Sequence, residues 1–168
     1  MSQGVETDGA RRAREALEAS GIEHQIRVST VPANSLAEAA EQRGIEPRDI
    51  VKSLVVRRGS GDYVFVLVPG DREISWPKLR AHLGVNRLSM PPADKAKDAT
   101  GYERGTITPF GSTSAWPVIV DATAAGRTIS MGAGAHGTSV TLATSDLVRA
   151  LAAEVADVTE SSDVTDPS

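Results

Sequence analysis

The chain has 168 residues, 40% of them hydrophobic and 24% charged, and it contains no cysteine. This composition is typical of a soluble globular domain and excludes disulfide frameworks, thiol nucleophiles and cysteine-ligated zinc. The net charge of −4 takes its sign from five carboxylates after Leu151, and the rest of the chain is slightly basic. No segment holds a signal-peptide core or approaches the roughly 20 apolar residues of a membrane span, so we expect a cytoplasmic protein without membrane contact.

Small polar residues dominate both ends of the chain. We interpret residues 1–8 and the acidic segment 158–168 as disordered, and we predict a single folded domain over residues 9–157. The chain has three histidines, and their spacing is not that of metal ligands. No metal site is therefore expected.

Local signals predict the first elements. A helix is expected over residues 10–20, where a glycine ends it, and a strand over residues 24–28. Ser35, with Glu38 three residues later, forms a capping box that opens a helix running to about Arg43.

The middle of the chain predicts a hairpin and two short helices. Residues 50–57 and 63–68 are rich in β-branched side chains and flank a glycine-containing turn, which indicates two central strands. Ser75 opens a helix that runs to about Leu83, and a pair of prolines opens another through Lys97.

Four glycines or prolines fall within residues 100–114, which predicts a long ordered loop or a lid. Strands are predicted over residues 118–121, 128–131 and 139–142, and a final helix runs from 144 or 145 to about 155. Helices and strands mix without strict alternation. This favours an α+β fold with a mixed or antiparallel sheet over a doubly wound one.

One strand face combines a lysine with apolar residues. Period-2 geometry places Ile50, Lys52, Leu54 and Val56 on the same face. Burying an unpaired ammonium is costly. Lys52 therefore either meets a partner or substrate, or reaches water from an edge strand.

The segment Gly132-Ala-Gly-Ala-His-Gly137 matches the dinucleotide-binding pattern G-x-G-x-x-G and follows a predicted strand. That pattern must open a helix, whereas the next residues are β-branched and predict a strand. We interpret the segment as a turn whose backbone approaches a ligand closely, with His136 beside it, or as a plain tight turn. No nucleotide cofactor is expected.

The segment between positions 43 and 58 is a small basic patch, because it contains five basic residues and only two acidic ones, Glu46 and Asp49. It fits a contact with an RNA end rather than tracking along a DNA duplex, and it equally fits a solvated face. The sequence has no G-x-S-x-G elbow and no paired-carboxylate motif, so an enzyme of this sequence would use backbone donors, a cation and water. The basic residues are Arg43, Arg48, Lys52, Arg57 and Arg58.

Four segments, in this order along the chain, carry a resemblance to a known family. They are Ile50-Val-Lys52-Ser-Leu-Val-Val, Gly101-Tyr-Glu-Arg-Gly105-Thr-Ile-Thr-Pro109-Phe-Gly111, Pro117-Val-Ile-Val-Asp121, and Gly132 to Gly137 followed by Asp146-Leu147. Together they resemble the YbaK/EbsC family, the aminoacyl-tRNA deacylase domain that is also inserted in bacterial prolyl-tRNA synthetases. The resemblance runs from about residue 10 to 152. It implies a mainly antiparallel, curved, barrel-like sheet flanked by helices.

The resemblance also implies an activity, the hydrolysis of the ester that joins a wrong amino acid to the 3′ end of a tRNA. It implies a freestanding trans-editing enzyme, with cysteine or alanine on the tRNA for proline as the substrate and a synthetase as a further partner. Lys52 and Gly105 are the catalytic residues that it implies. The implied substrate-binding residues are Ser53, Thr106, Ile107, Thr108, Pro109, Phe110, Gly111, Gly134 and His136.

Two positions depart from the pattern of many family members, which have glycine in place of Thr106 and threonine or asparagine in place of Ser53. The resemblance leaves a second function open. A non-catalytic module of the same fold would use the same cleft to bind an aminoacyl or nucleotide end, or would dock on a synthetase.

Overall fold

The computed structural model describes residues 6–162, and this part of the chain contains five α-helices and nine strands. The helices are α1 (Asp8–Ser20), α2 (Leu36–Arg43), α3 (Trp76–Leu83), α4 (Ala93–Thr100) and α5 (Thr144–Leu151). The strands are β1 (Gln25–Val28), β2 (Ile50–Gly59), β3 (Asp62–Pro69), β4 (Arg72–Ile74), β5 (Val118–Asp121), β6 (Thr128–Gly132), β7 (Thr138–Ala143), β8 (Glu154–Ala156) and β9 (Thr159–Ser161). No helix within residues 6–162 combines the length and the apolar character that crossing a membrane requires.

Seven strands form one mixed sheet in the order β1-β7-β6-β2-β3-β5-β8. The longer pairings, β2 with β3, β6 with β7 and β1 with β7, are antiparallel, whereas β2–β6, β3–β5 and β5–β8 are short parallel pairings. β4 and β9 form a separate antiparallel pair. The predicted α+β class, with a mainly antiparallel sheet flanked by helices and the β2–β3 hairpin at its centre, is confirmed.

Capping residues position the helices as predicted. Ser35 Oγ accepts the Glu38 N–H at 3.0 Å at the start of α2, and Ser75 Oγ accepts the Lys78 N–H at 3.4 Å at the start of α3. A glycine in the left-handed conformation, with φ of 69°, ends each of these two helices. The capping residues therefore fix where α2 begins and ends, and so where its last residues lie relative to the sheet.

The central hairpin separates two hydrophobic clusters. Val55 and Phe65 face the larger cluster, which also holds buried residues of α1 and α5. Val56 and Val64, one position along each strand, face the smaller cluster with Leu79 of α3. Because both faces of β2 and β3 are covered, the hairpin is a rigid support for what its edges carry.

Helix α5 ends earlier than predicted. Its last residue is Leu151, and Ala152 follows with a left-handed φ of 52°. The residues expected to continue the helix to about 155 instead form β8, which pairs in parallel with β5. Pairing with a distant strand outweighs the local helical signal at this point.

The two chain ends also differ from the prediction where the structure describes them. α1 begins at Asp8 with Thr7 as its cap, so the predicted disorder over 1–8 does not extend to these two residues. Val158 is fully buried and β9 follows it, so the predicted disordered tail does not begin at 158. Glu6 is also described, and its carboxylate pairs with Arg14 at 2.8 Å, whereas residues 1–5 and 163–168 lie outside the described part of the chain.

Candidate functional site

A cleft of about 480 Å³ lies beside β2. The first half of β2 forms one wall, and the loop after α4 and the turn between β6 and β7 form another. The residues leading into α4 supply an apolar side. The lining residues are Arg43, Ile50, Val51, Lys52, Ser53, Leu54, Val55, Met90, Pro91, Ala93, Ala96, Arg104, Gly105, Ile107, Gly132, Ala135, His136, Gly137 and Thr138.

One edge of β2 is open in this cleft. β2 pairs with β6 only through its first two residues, and further along the same edge Arg57 exchanges backbone hydrogen bonds with Ser89, at 2.8 and 3.2 Å. Because N–H and C=O groups alternate in direction along a strand, those of Ser53 and Val55 also point to this edge. No group within residues 6–162 pairs with them there. The backbone of β2 is therefore available to a ligand in the cleft.

The charged groups that line the cleft are cationic. Lys52 is exposed, and within residues 6–162 no carboxylate oxygen lies within 4.0 Å of its ammonium. Arg43 and Arg104 add two guanidinium groups, and no described carboxylate lines the cleft. Burial lowers the pKa of Arg43, and the positive charge of Arg27 lowers it further. This arrangement favours an anionic or strongly polarised ligand.

The loop after α4 is held by its buried side. Tyr102 Oη donates a hydrogen bond to the Phe110 carbonyl at 2.7 Å. Arg12 of α1 donates to the carbonyls of Gly101 and Gly111 at 2.9 and 3.3 Å, and its guanidinium lies 4.5 Å from the centroid of the Tyr102 ring. These contacts favour the ordered loop over the lid.

Two residues of the same loop, Gly105 and Ile107, line the cleft and carry unpaired backbone donors. Gly105 has a φ of 89°, and a Cβ added there would lie 3.4 Å from His136 Cε1. The N–H groups of Gly105 and Ile107 have no acceptor among the described residues. Both residues line the cleft, and unpaired N–H groups beside a reacting ester can stabilise the oxyanion that develops there.

Thr106 fits between these two residues without backbone strain. Its side chain is buried, and both its N–H and its Oγ1 donate to the Glu103 carbonyl, at 2.9 and 2.8 Å. Its φ is not positive. The position therefore does not need the glycine of many family members, and the threonine closes the turn that presents Gly105.

The structure brings together part of the residue set that the resemblance implies. Six of those residues do not line the cleft, because they are buried or packed behind the cleft-facing side of the loop: Thr106, Thr108, Pro109, Phe110, Gly111 and Gly134. Thr108 Oγ1, for instance, accepts the Phe110 N–H at 3.2 Å inside the core. The residues that do line the cleft together are Lys52, Ser53, Gly105, Ile107 and His136.

The glycine-rich turn joins β6 to β7, so the predicted strand follows it and no helix opens there. Its closest backbone approach is to α1, because a Cβ on Gly134 would overlap the Gly9 carbonyl. Gly134 also donates its N–H to the Thr106 carbonyl at 3.1 Å, which ties the turn to the loop. His136, with 74% of its side chain exposed, lies at the rim of the cleft.

Sequence reasoning missed Arg104 and the open strand edge, and it placed Arg43 in a basic patch without linking it to the cleft. Arg43 was part of the predicted basic patch, but the structure divides that patch. Arg48 and Arg58 pair with nearby carboxylates, at 3.3 and 3.0 Å, whereas Arg43 and Lys52 line the cleft. Arg104, next to the predicted Gly105, was not proposed. The patch contains two of the cleft cations. Which of its basic side chains pair with carboxylates is visible only in the folded structure.

Known proteins resemble this chain over most of its length. The model of the aminoacyl-tRNA editing domain matches residues 30–150. The proline–tRNA ligase of Trichlorobacter lovleyi is 30% identical over 126 residues, which are 70% of this chain and 22% of that protein. The proline–tRNA ligase of Thermosipho melanesiensis is 38% identical over 84 residues, which are 50% of this chain and 15% of that protein. The chain thus spans less than a quarter of the length of these two curated relatives.

One solved structure has the same fold as this chain and aligns with it over nearly the whole length of both chains. It is described as a candidate trans-editing enzyme for prolyl-tRNA synthetase, and it superposes with a TM-score of 0.81 and 25% identity over 92% of this chain and 98% of that one. The matched residues 30–150 include every residue that lines the cleft. This chain belongs to the aminoacyl-tRNA editing domain family.

Proposed function

We propose that this protein hydrolyses the ester of mischarged aminoacyl-tRNA in trans, with alanine or cysteine on the tRNA for proline as the substrate. Membership of the editing family and the similarity to parts of proline–tRNA ligases support the reaction class. The likeness to a candidate trans-editing enzyme over 98% of that chain supports action as a separate protein.

The observation that carries this proposal is the grouping of Lys52 with the free N–H groups of Gly105 and Ile107 in one cleft whose described lining has no carboxylate. When water attacks the ester carbonyl, negative charge develops on the carbonyl oxygen. Backbone donors fixed in advance stabilise that charge without reorganising, and a nearby ammonium adds to the effect. Water releases a proton as it adds to the carbonyl carbon, and the ribose oxygen takes up a proton when its bond to that carbon breaks. The products are the free amino acid and a tRNA with its terminal hydroxyl restored.

The same geometry supports a positioning role for the other cleft residues. Ser53 Oγ is buried without a hydrogen-bond partner among the described residues, and it lies on the strand whose edge is open. It and the backbone of β2 can hold the amino acid or its ribose by hydrogen bonds, which reduces the entropy cost of aligning the ester with water. Met90, Pro91 and Ile107 present apolar surface suited to a small side chain.

The decisive experiment measures amino-acid release by the purified protein from Ala-tRNA and Cys-tRNA specific for proline, with correctly charged Pro-tRNA alongside. We expect preferential hydrolysis of one mischarged substrate. Lys52→Ala should reduce the rate at least about 100-fold, the size seen when one electrostatic stabiliser of a transition state is removed.

Lys95→Ala is the matched control for this experiment. Lys95 is exposed on α4 and does not line the cleft, so its loss changes the net charge equally and should leave the rate unchanged. Inertness toward a panel of mischarged tRNAs would reject the hydrolase. Binding of those tRNAs without turnover would establish the non-catalytic module in its place. Full activity of Lys52→Ala would reject the role of Lys52.

A further inference from the structure

A second cavity of about 360 Å³ adjoins the cleft. It lies between the end of β1, the segment that leads to α2, and α2 itself. Arg43, His136 and Gly137 line both the cleft and this cavity, so they form a wall that the two spaces share. The second cavity therefore lies directly beside the site where the ester is expected to lie.

Two arginines give this cavity its charge. Arg27 of β1 is exposed and Arg43 at the end of α2 is half-buried, and both line it. Within residues 6–162 neither guanidinium has a carboxylate oxygen within 4.0 Å, and the hydrogen bond that Arg43 does make is to the neutral Ser130 Oγ at 3.0 Å.

The two guanidinium groups line the same cavity, so their positive charges repel each other. Burial lowers the pKa of Arg43, and the charge of Arg27 lowers it further. Like charges held together without a counterion are unfavourable, and an anion that contacts both would relieve the repulsion. Guanidinium groups bind phosphate oxygens with particular geometric fit.

We propose that the second cavity binds the phosphodiester backbone of the single-stranded RNA that leads into the cleft, through Arg27 and Arg43. This inference rests on the proposed function, because it takes the aminoacylated terminal nucleotide to occupy the cleft. The preceding nucleotides must then leave along the shared wall. Polar side chains of Ser29, Thr30 and Gln42 line that path, and exposed Val31 offers apolar surface to a base.

The test compares binding of two non-hydrolysable probes. One is a short single-stranded RNA that ends in CCA and carries alanine in a 3′-amide linkage. The other is the same alanyl amide on adenosine alone, which has no phosphate. Arg27→Ala should weaken binding of the RNA probe about five- to tenfold and leave binding of the adenosine probe unchanged. The slope of log K against log salt for the RNA should fall by about 0.7 for each lost phosphate contact.

Two further variants separate charge from structure. Arg149→Ala removes the same charge from α5, where the side chain is 69% exposed and outside both cavities, and it should bind both probes like the parent. Arg27→Lys should retain most of the RNA affinity, because it keeps the charge.

Equal weakening of both probes by Arg27→Ala, or no weakening of the RNA probe, would overturn the inference. Because the readout is binding, it is independent of turnover. Ester hydrolysis together with RNA binding that does not depend on Arg27 would leave the proposed function standing and reject this cavity as an RNA site. If RNA binding depends on Arg27 but the protein hydrolyses no ester, the proposed function is rejected and the RNA site is retained.

Discussion

Asp121 and Lys52 are charged residues of one sheet, at the end of β5 and near the start of β2, in opposite environments. Asp121 is 0% exposed and accepts hydrogen bonds from the Thr123 N–H and the Val158 N–H, each at 3.1 Å, and from the Thr123 hydroxyl. Arg72 Nε lies 3.8 Å from its carboxylate. Lys52 is exposed, without a carboxylate within 4.0 Å in the described chain.

The difference separates two uses of charge in one fold. A buried carboxylate with several donors stabilises the folded chain, and losing those bonds exposes the full desolvation cost of the groups left behind. A cation without a protein partner contributes little to folding, and its electrostatic interaction remains available to a ligand. We therefore expect Asp121 to matter for the stability of the domain and Lys52 for the proposed hydrolysis.

The largest expected effect on stability comes from Asp121→Asn. The amide keeps one acceptor oxygen but turns its NH2 group toward the N–H of either Thr123 or Val158, so we expect the free energy of unfolding to fall by about 2 to 3 kcal/mol. Lys52→Ala should stay within about 0.5 kcal/mol of the parent. Urea unfolding of the three proteins measures both values. If Asp121→Asn were as stable as the parent, or Lys52→Ala much less stable, the assignment of stability to Asp121 and not to Lys52 would be wrong.

A smaller effect on stability is expected at Gly105, which, like Lys52, lines the proposed hydrolytic cleft. Gly105→Ala puts a side chain into a left-handed backbone and toward His136, which should cost about 1 kcal/mol of stability and reduce hydrolysis at least about tenfold. Gly61→Ala introduces similar backbone strain at φ of 66°, in the open turn of the β2–β3 hairpin. Melting temperatures and deacylation rates should fall together for Gly105→Ala, but only the melting temperature should fall for Gly61→Ala. Equal rates for the two variants would contradict a positioning role for Gly105.

The smallest effect is the pH dependence of stability. Burial by itself raises the pKa of Asp121, but hydrogen bonds from Thr123, Val158 and Thr159 outweigh it, so the pKa lies below its ordinary value. The stabilisation is complete above the unfolded pKa of about 3.9 and is lost as the pH falls through the lower folded value. The difference in melting temperature between parent and Asp121→Asn should therefore be constant near neutrality and shrink below about pH 4. A difference that grows toward low pH would show the opposite shift.

The parts of the fold that the sequence predicts well are those set by local chemistry. Ser35 and Ser75 cap their helices within three residues of the chain, and the β2–β3 hairpin follows from its turn. The elements that the sequence did not predict depend on pairing with distant strands. β8 forms because β5 is beside it, and β9 forms because β4 is there, and neither pairing leaves a periodic signal in so short a strand.

The candidate site divides in the same way. Lys52 could be singled out from strand alternation, and Gly105 from the resemblance of its loop. The open edge of β2 could not, because it exists only where pairing with β6 stops after two residues. Nor could the pattern show that Arg43 reaches the cleft, since that depends on where α2 ends against the sheet.

The wall shared by the two cavities limits how this fold can change its substrate. Any change at His136 or Gly137 that reshapes the pocket for a different amino acid also alters the neighbouring cavity. Met90, Pro91, Ala93 and Ala96 line the cleft alone, so changes there can alter the pocket without touching that cavity. Divergence in amino-acid preference should therefore be easier on the α4 side, and a library that varies those four positions is the natural route to a new specificity.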